Sequence, residues 1–245
     1  QEVKATAAGR IPWASGTMAG LHILRRRLFD REAGFISSLL YSGFQPWAAA
    51  NNLAFNGELL MNLPLVWAWA IAFRRTGSRM RPELLAAGAL LGAGFLLKQP
   101  AAIAAVPLGI YLLLPSYRAS RDVTRKESII HVAMLTAGFF TVLGLVAVVL
   151  HQQGILREAL YWTFTNHSIP HVFWDAGVLS TLAFIGACLP LVIVAAPAFR
   201  DNHGLWANDN AERTALLALL VASPFGVVAA PPFFPPHSSH LCPPP

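Results

Sequence analysis

Apolar residues occur along this chain in long blocks, separated by short polar stretches that hold most of the charge. Residues without any charge form the runs 33–57, 99–117, 128–156, 176–199 and 214–245. A helix needs about 20 apolar residues to cross the hydrocarbon core of a bilayer, and several of these runs reach that length. The pattern therefore predicts an all-α fold, a polytopic bundle of transmembrane helices.

The limits of the blocks predict about seven crossings, preceded by a partial helix over 10–24 that runs inward. Each crossing is expected to reverse the direction of the one before it. The crossings are predicted over 33–52, 53–73, 82–97, 101–115, 128–150, 177–199 and 211–230.

Two further segments complete the predicted domain organisation, in which 1–230 is the bundle. Residues 151–175 are expected to form an outer amphipathic segment on the bilayer surface, because Leu156, Leu160 and Phe164 recur at helical spacing among polar residues. Residues 231–245 are rich in proline, which removes backbone donors and breaks helices. This tail is predicted to be irregular.

Composition supports a membrane protein and argues against a soluble one. Of the 245 residues, 55% are hydrophobic and only 12% are charged, about half the charged fraction of an ordinary globular chain. The mean hydropathy is +0.51.

The net charge of +6 reports topology and does not indicate a nucleic-acid partner. Fourteen of the 18 lysine and arginine residues lie in four clusters, at 25–31, 74–81, 118–126 and 200–213. Each cluster separates apolar blocks, and alternate connections are nearly free of basic residues. This is the positive-inside pattern of cytoplasmic loops. It predicts that 74–81 and 118–126 face the cytoplasm and that 151–175 lies outside.

Two charged residues lie where the membrane should exclude charge. Glu58 is about 24 Å along its helix from Arg74, and Lys98 is about 26 Å along the next helix from Arg81, at 1.5 Å per residue. Ionisable groups at such depth indicate a functional site by default. Two alternatives stay open, since Lys98 could snorkel to the outer headgroups and Glu58 could form a structural ion pair with it.

The histidines and cysteines give no metal or cofactor prediction. His167 and His171 have the i, i+4 spacing of helical metal ligands, but Pro170 lies between them and no third ligand is evident. His131 falls on an inner flank, where an interfacial position is expected. No metal-type cysteine spacing or disulfide framework occurs.

Three stretches of this sequence resemble integral-membrane glycosyltransferases of the GT-C type, in particular the group of protein O-mannosyltransferases and the lipid A aminoarabinose transferase. The resemblance covers roughly residues 10–230. It rests on "LHILRRRLFDREAGFISSLLYSGFQPW", "NLAFNGELLMNLPLVWAWAIAFRR" and "LLAAGALLGAGFLLKQPA". It implies transfer of a sugar from a polyprenyl-phosphate carrier to a lipid, protein or glycan acceptor.

The resemblance also implies roles for individual residues. Glu58, in "FNGELL", matches an acidic position near the acceptor or sugar and is the expected catalytic residue. Lys98, in "LLKQP", matches a basic position that suits the carrier phosphate, and Arg10 matches an arginine at the outer end of an earlier helix. Asn56 and His167 are further expected substrate-binding residues. Cations of this kind stabilise the released phosphate, and a carboxylate takes the proton of the attacking hydroxyl.

The same resemblance sets the expected context of the site. In these enzymes the catalytic carboxylate of the first outer loop precedes the point where this sequence starts, so the chain is expected to be an N-terminally truncated piece. The expected location is the plasma (inner) membrane, with an extracytoplasmic active site in contact with membrane lipids. The rival interpretation is a secondary transporter, which often places charges at the bilayer midplane, or a non-catalytic membrane subunit.

Overall fold

A computed structural model describes the backbone of residues 2–28, 31–48, 57–74 and 81–165, and the side chains of 12–28, 34–42, 60–74 and 81–164 except Pro100. Within these ranges the regular structure is entirely helical, as predicted. The helices are α1 (Glu2–Leu28), α2 (Arg31–Ala48), α3 (Gly57–Ala72), α4 (Arg81–Leu97), α5 (Ala105–Leu113), α6 (Pro115–Arg121), α7 (Arg125–Gln152) and α8 (Leu156–Leu160), with a 3₁₀ helix at Gln99–Ala104 and a π-helical turn at Tyr161–Thr165.

Contacts between the helices fix their relative directions. A Cβ added at Gly16 would meet Leu63, and one added at Gly20 would meet Val66, so α1 and α3 run parallel. Ser38 of α2 donates a hydrogen bond to the carbonyl of Met18, while Gly34 lies against His22, so α2 runs antiparallel to α1. The predicted reversal of direction from α1 to α2 and from α2 to α3 is confirmed.

The closest packing of two helices joins α4 to α7. A Cβ added at Gly88 would lie 1.9 Å from the carbonyl oxygen of Leu135, and one added at Gly138 would lie 2.0 Å from that of Leu85. Neither position can hold a larger residue without separating the helices. Gly88 and Gly92 form a G-x-x-x-G sequence, which allows close backbone approach between membrane helices.

The α7 helix has clear signals at both ends. Thr124 and Glu127 form a capping box, in which the Thr124 side chain accepts from the Glu127 amide and the Glu127 carboxylate accepts from the Thr124 amide. At the other end Gly154 has φ of +75°, and the Ile155 amide donates to the Leu150 carbonyl. This is a Schellman motif, which ends the helix and turns the chain aside.

Among the described residues, α7 is the one helix long and apolar enough to cross a membrane unaided. Only 11% of its most apolar window is buried inside the protein, as expected of a helix that faces lipid. Residues Ala101–Leu113 and Pro115–Arg121 pass the same test together, with a bend of 64° between them. The count of seven crossings stays a prediction, because 177–199 and 211–230 lie outside the described residues.

The predicted crossing over 101–115 is not one continuous helix. It is divided into the 3₁₀ helix Gln99–Ala104 and α5, and the extended backbone of Leu114 (ψ 143°) then separates α5 from α6. Prolines account for this division, because Pro100 and Pro115 both occupy first-turn positions, where the missing amide costs nothing.

The predicted outer segment is only partly described. Residues Leu156–Leu160 and Tyr161–Thr165 are helical, and Leu160, Trp162 and Phe164 are exposed. The remainder of 151–175 and the tail 231–245 lie outside the described residues.

Candidate functional site

The register of α1 against α3 is set by two tryptophans. The Trp13 indole donates a hydrogen bond of 3.0 Å to the carbonyl of Leu60, 47 residues further along the chain. The Trp67 indole donates one of 3.0 Å to the carbonyl of Gly16. Buried indole N–H groups usually need such a partner, so these bonds hold the two parallel helices at one axial position.

This register brings Arg10 and Glu58 to the same level. With the offset of 47 residues that joins Trp13 to Leu60, the backbone of Arg10 lies level with Gly57, the first residue of α3. Arg10 belongs to α1 and Glu58 to the first turn of α3. Their side chains lie outside the described residues.

Lys98 occupies the break between α4 and the 3₁₀ helix. Its backbone is extended, with φ of −159° and ψ of 126°, while its amide donates to the Gly94 carbonyl and its carbonyl accepts from the Ala101 amide. These bonds fix the Lys98 backbone, and the side chain is half-buried. A cation is thus held at the end of α4, with its side chain half-buried.

The α3–α4 packing relates Lys98 to Glu58. A Cβ added at Gly94 would lie 3.4 Å from a methyl group of Leu65. Glu58 is then about 10 Å beyond this contact and Lys98 about 6 Å beyond it, at 1.5 Å per residue. The backbones of Arg10, Glu58 and Lys98 therefore lie at one end of the bundle, called here the Lys98 end. Asn56 and His167 lie outside the described residues.

The opposite end, called here the basic end, is defined by Arg27, Arg74, Arg81, Arg121 and Arg125. Two of these arginines cap α3. The Arg121 guanidinium donates 2.6 Å to the Arg74 carbonyl and 3.4 Å to the Phe73 carbonyl, and Arg27 donates to the Ala70 carbonyl. Cations at a helix C-terminus satisfy its last carbonyls and complement the helix dipole.

Burial also shifts the pKa of one arginine at this end. It lowers the pKa of the Arg27 guanidinium, with a smaller contribution from the charge of Arg74. The Arg27 guanidinium keeps its charge at neutral pH, because the ordinary pKa of arginine lies far above neutrality.

A series of buried aromatic rings continues inward from these arginines. Edge-to-face contacts join Trp69 to Phe73 (5.3 Å), Phe73 to Tyr111 (4.9 Å) and Tyr111 to Tyr117 (5.0 Å). The Arg121 guanidinium lies 5.8 Å from the centre of the Tyr117 ring, within cation–π range. These rings tie α3, α5 and α6 together.

His131 is not at the interface, and that expectation was wrong. The residue is 1% exposed, and its Nδ1 is 2.8 Å from the Tyr117 hydroxyl. Beside it, Ser128 donates a hydrogen bond to the Leu112 carbonyl. The buried partners explain the error, since α6 lies over the start of α7 and excludes the solvent that an interfacial histidine would meet.

Two features of this packing were missed from the sequence. The G-x-x-x-G spacing of Gly88 and Gly92 was a readable signal. The capping of α3 by Arg121 was not, because the bond joins residues 47 positions apart and nothing local marks which arginine of a basic cluster is buried.

Comparison with known protein families gives a match over much of the chain. The family model described as dolichyl-phosphate-mannose-protein mannosyltransferase matches residues 9–150, which include α1 to α7 almost completely. No curated protein and no solved structure matches the chain. The match covers more than half of the chain and supports the glycosyltransferase interpretation over the transporter or non-catalytic subunit.

Proposed function

This chain belongs to the dolichyl-phosphate-mannose-protein mannosyltransferase family, and from that premise we propose that it transfers a sugar from a polyprenyl-phosphate carrier to an acceptor hydroxyl at the extracytoplasmic face. The family membership supports a membrane glycosyltransferase of this type. The carrier, the acceptor and the face of the membrane are parts of the proposal.

The observation that carries the proposal is the common level of Arg10, Glu58 and Lys98 at the Lys98 end. Arg10 of α1, Glu58 of α3 and Lys98, directly after α4, place two basic residues and one acidic residue there. Placing a charged side chain in lipid is costly, and a polar cavity that receives a phosphate and a sugar would lower that cost.

In the proposed reaction the acceptor oxygen attacks the anomeric carbon, and the bond from that carbon to the carrier phosphate oxygen breaks. The acceptor proton passes to a carboxylate, for which Glu58 is the candidate on this chain. The released phosphate gains negative charge, which Lys98 and Arg10 stabilise. Asn56 and His167 complete the proposed substrate contacts.

The direct test is sugar transfer from mannosyl-phosphoryl polyprenol by the membrane-reconstituted protein and its Lys98 variants. Loss of one preorganised electrostatic contact lowers turnover by about 100-fold or more, so Lys98→Ala should lose that factor in kcat. Lys98→Arg should recover only part of it, because a guanidinium presents its donors in a rigid planar fork. A snorkelling lysine would accept arginine without loss.

Arg157→Ala is the matched control. Arg157 is an exposed basic residue that follows the C-terminal end of α7, on the side of the Lys98 end, and its substitution should keep full activity. Normal turnover in well-folded Lys98→Ala would remove Lys98 from the mechanism. An equal loss of turnover in Arg157→Ala would show a general effect of charge and no specific role of Lys98.

The sidedness of the proposal has its own test by cysteine labelling. Gln153 and Lys126 are both exposed and lie near opposite ends of α7. In a background where Cys188 and Cys242 are serine, a membrane-impermeant maleimide should label Gln153→Cys from outside and Lys126→Cys only after the membrane is opened. The reverse result would overturn the extracytoplasmic site.

A further inference from the structure

The basic end carries a large excess of positive charge among its described side chains. Nine basic and three acidic side chains lie there. The basic ones are Arg25, Arg26, Arg27, Arg74, Arg81, Arg118, Arg121, Arg125 and Lys126, and the acidic ones are Glu83, Asp122 and Glu127.

These cations differ in how the fold uses them. Arg27 and Arg121 donate to carbonyls at the end of α3. The Arg118 side chain is half-buried, and its buried Nε has no hydrogen-bond partner in the described part of the chain. A buried polar group that lacks a partner is costly, and the cost is greater where the group carries charge. The half-buried Arg118 side chain is therefore a cation whose Nε hydrogen bond is not met by the described residues.

Arg125 and Lys126 lie close to Arg118 along the chain and in space. The Val123 amide donates 3.1 Å to the Arg118 carbonyl, and Asp122 reverses the chain with φ of 51°, so α7 begins beside the end of α6. Both Arg125 and Lys126 are exposed in the first turn of α7. Of the two carboxylates nearest in sequence, Asp122 is exposed and Glu127 already accepts hydrogen bonds from Thr124.

Apolar side chains are exposed at the same edge. Leu113, at the end of α5, is 49% exposed, and Ile129, one turn into α7, is 54% exposed. Three cations at the margin of a lipid-facing surface match a ligand that has an anionic head and apolar chains. Free phosphate or a nucleic acid would leave the exposed Leu113 and Ile129 without apolar contacts.

We propose that Arg118, Arg125 and Lys126 bind the phosphate headgroup of an anionic phospholipid in the leaflet at the basic end, with its acyl chains against Leu113 and Ile129. Arginine pairs with phosphate through two parallel hydrogen bonds, and the 64° bend before α6 turns that helix across the end of the bundle. The site is separate from the proposed transfer site and does not depend on it.

The test is a lipid titration of the full chain in detergent micelles, with bound lipid counted by native mass spectrometry. Dioleoyl phosphatidylglycerol and dioleoyl phosphatidylcholine are compared at equal concentrations. Each basic residue near an anionic surface is worth about fivefold in affinity. Arg125→Gln with Lys126→Gln should therefore weaken phosphatidylglycerol binding about 25-fold, and Arg118→Gln about fivefold or more.

Arg157→Gln is again the control, and it should bind phosphatidylglycerol as the wild type does. The double variant changes only exposed residues, so it tests the proposal even if Arg118→Gln fails to fold. Equal binding of the two lipids, or equal losses in Arg157→Gln and the double variant, would overturn the proposal. Binding of inorganic phosphate with the same affinity as phosphatidylglycerol would also overturn it, because the apolar contacts would then contribute nothing.

Discussion

The two ends of this bundle are built on different principles. At the basic end the charges of Arg27 and Arg121 are directed into the protein, where they cap α3, and a continuous series of aromatic rings fills the space behind them. At the Lys98 end α4 stops at an extended residue, and a half-buried lysine stands near the level of two further charged residues.

The difference between the two ends indicates that one contributes mainly to stability and the other mainly to sugar transfer. Hydrogen bonds and ring contacts within the protein contribute to the free energy of unfolding, whereas charged residues beside a ligand site are retained for function at a cost in stability. The basic end should therefore dominate the stability of the fold, and the Lys98 end should contribute little to it. Four substitutions test this contrast, ordered by the expected loss of free energy of unfolding in detergent micelles.

Gly138→Leu should abolish the folded state. A Cβ at this position would lie 2.0 Å from the Leu85 carbonyl oxygen, and backbone cannot move aside as a flexible side chain can, so α4 and α7 must separate. The measurement is size-exclusion elution together with thermal unfolding. Gly144→Leu is the matched control on the same helix, because nothing lies within 4 Å of Gly144. Similar behaviour of the two variants would contradict the close α4–α7 contact.

Arg121→Ala should lower the free energy of unfolding by about 3 kcal/mol. Hydrogen bonds from a charged group contribute roughly 1.5–3 kcal/mol each, and the residue is 7% exposed. Denaturant titration measures the change. Arg125→Ala, an exposed residue at the same end, should change stability by less than about 0.5 kcal/mol. Equal effects at the two positions would mean that Arg121 caps nothing.

Tyr117→Phe should cost about 1 kcal/mol, the net value of one hydrogen bond. The variant keeps the ring contacts with Tyr111 and Arg121 and removes only the hydroxyl that faces His131. Denaturant titration again gives the number. In a His131→Phe background the same substitution should lower the free energy of unfolding by much less. An equal loss in both backgrounds would show that the two residues are not energetically coupled.

Lys98→Ala should change the free energy of unfolding by less than about 0.5 kcal/mol, in the range of substitutions that break no structural feature, while it lowers transfer as described above. A loss as large as that of Arg121→Ala would make Lys98 structural and would remove the contrast between the ends.

The sequence predicted helix positions and directions well and helix boundaries less well. Blocks of apolar residues mark where a helix can cross lipid, and basic clusters mark where it must turn, so the alternation along α1, α2 and α3 followed directly. A hydropathy pattern, however, contains no information about the polar residues that cap a helix. It placed the helix after the third basic cluster at 128–150, whereas Thr124 and Gly154 extend α7 to Arg125–Gln152.

The site was predictable only in part, because some of the contacts that position it join residues far apart along the chain. Glu58 and Lys98 stood out because charge in an apolar block is rare, and a helical rise of 1.5 Å per residue was enough to match their depths. The register between α1 and α3 rests on Trp13 and Trp67, whose partners lie 47 and 51 residues away. No local pattern encodes such pairings, and the burial of His131 under α6 was missed for the same reason.

The unequal lengths of α4 and α7 have a consequence for the surrounding bilayer. The helices have 17 and 28 residues, or about 26 Å and about 42 Å of helix. Their contacts pair Gly88 with Leu135 and Gly92 with Phe139, which sets Lys98 level with Leu145, about 10 Å below the last residue of α7. A membrane fitted to the longer helix would leave a notch above Lys98, into which water and lipid headgroups descend. Thicker bilayers deepen such a notch and thinner ones flatten it, so the thickness of the host membrane becomes a variable that acts directly on the surroundings of this lysine.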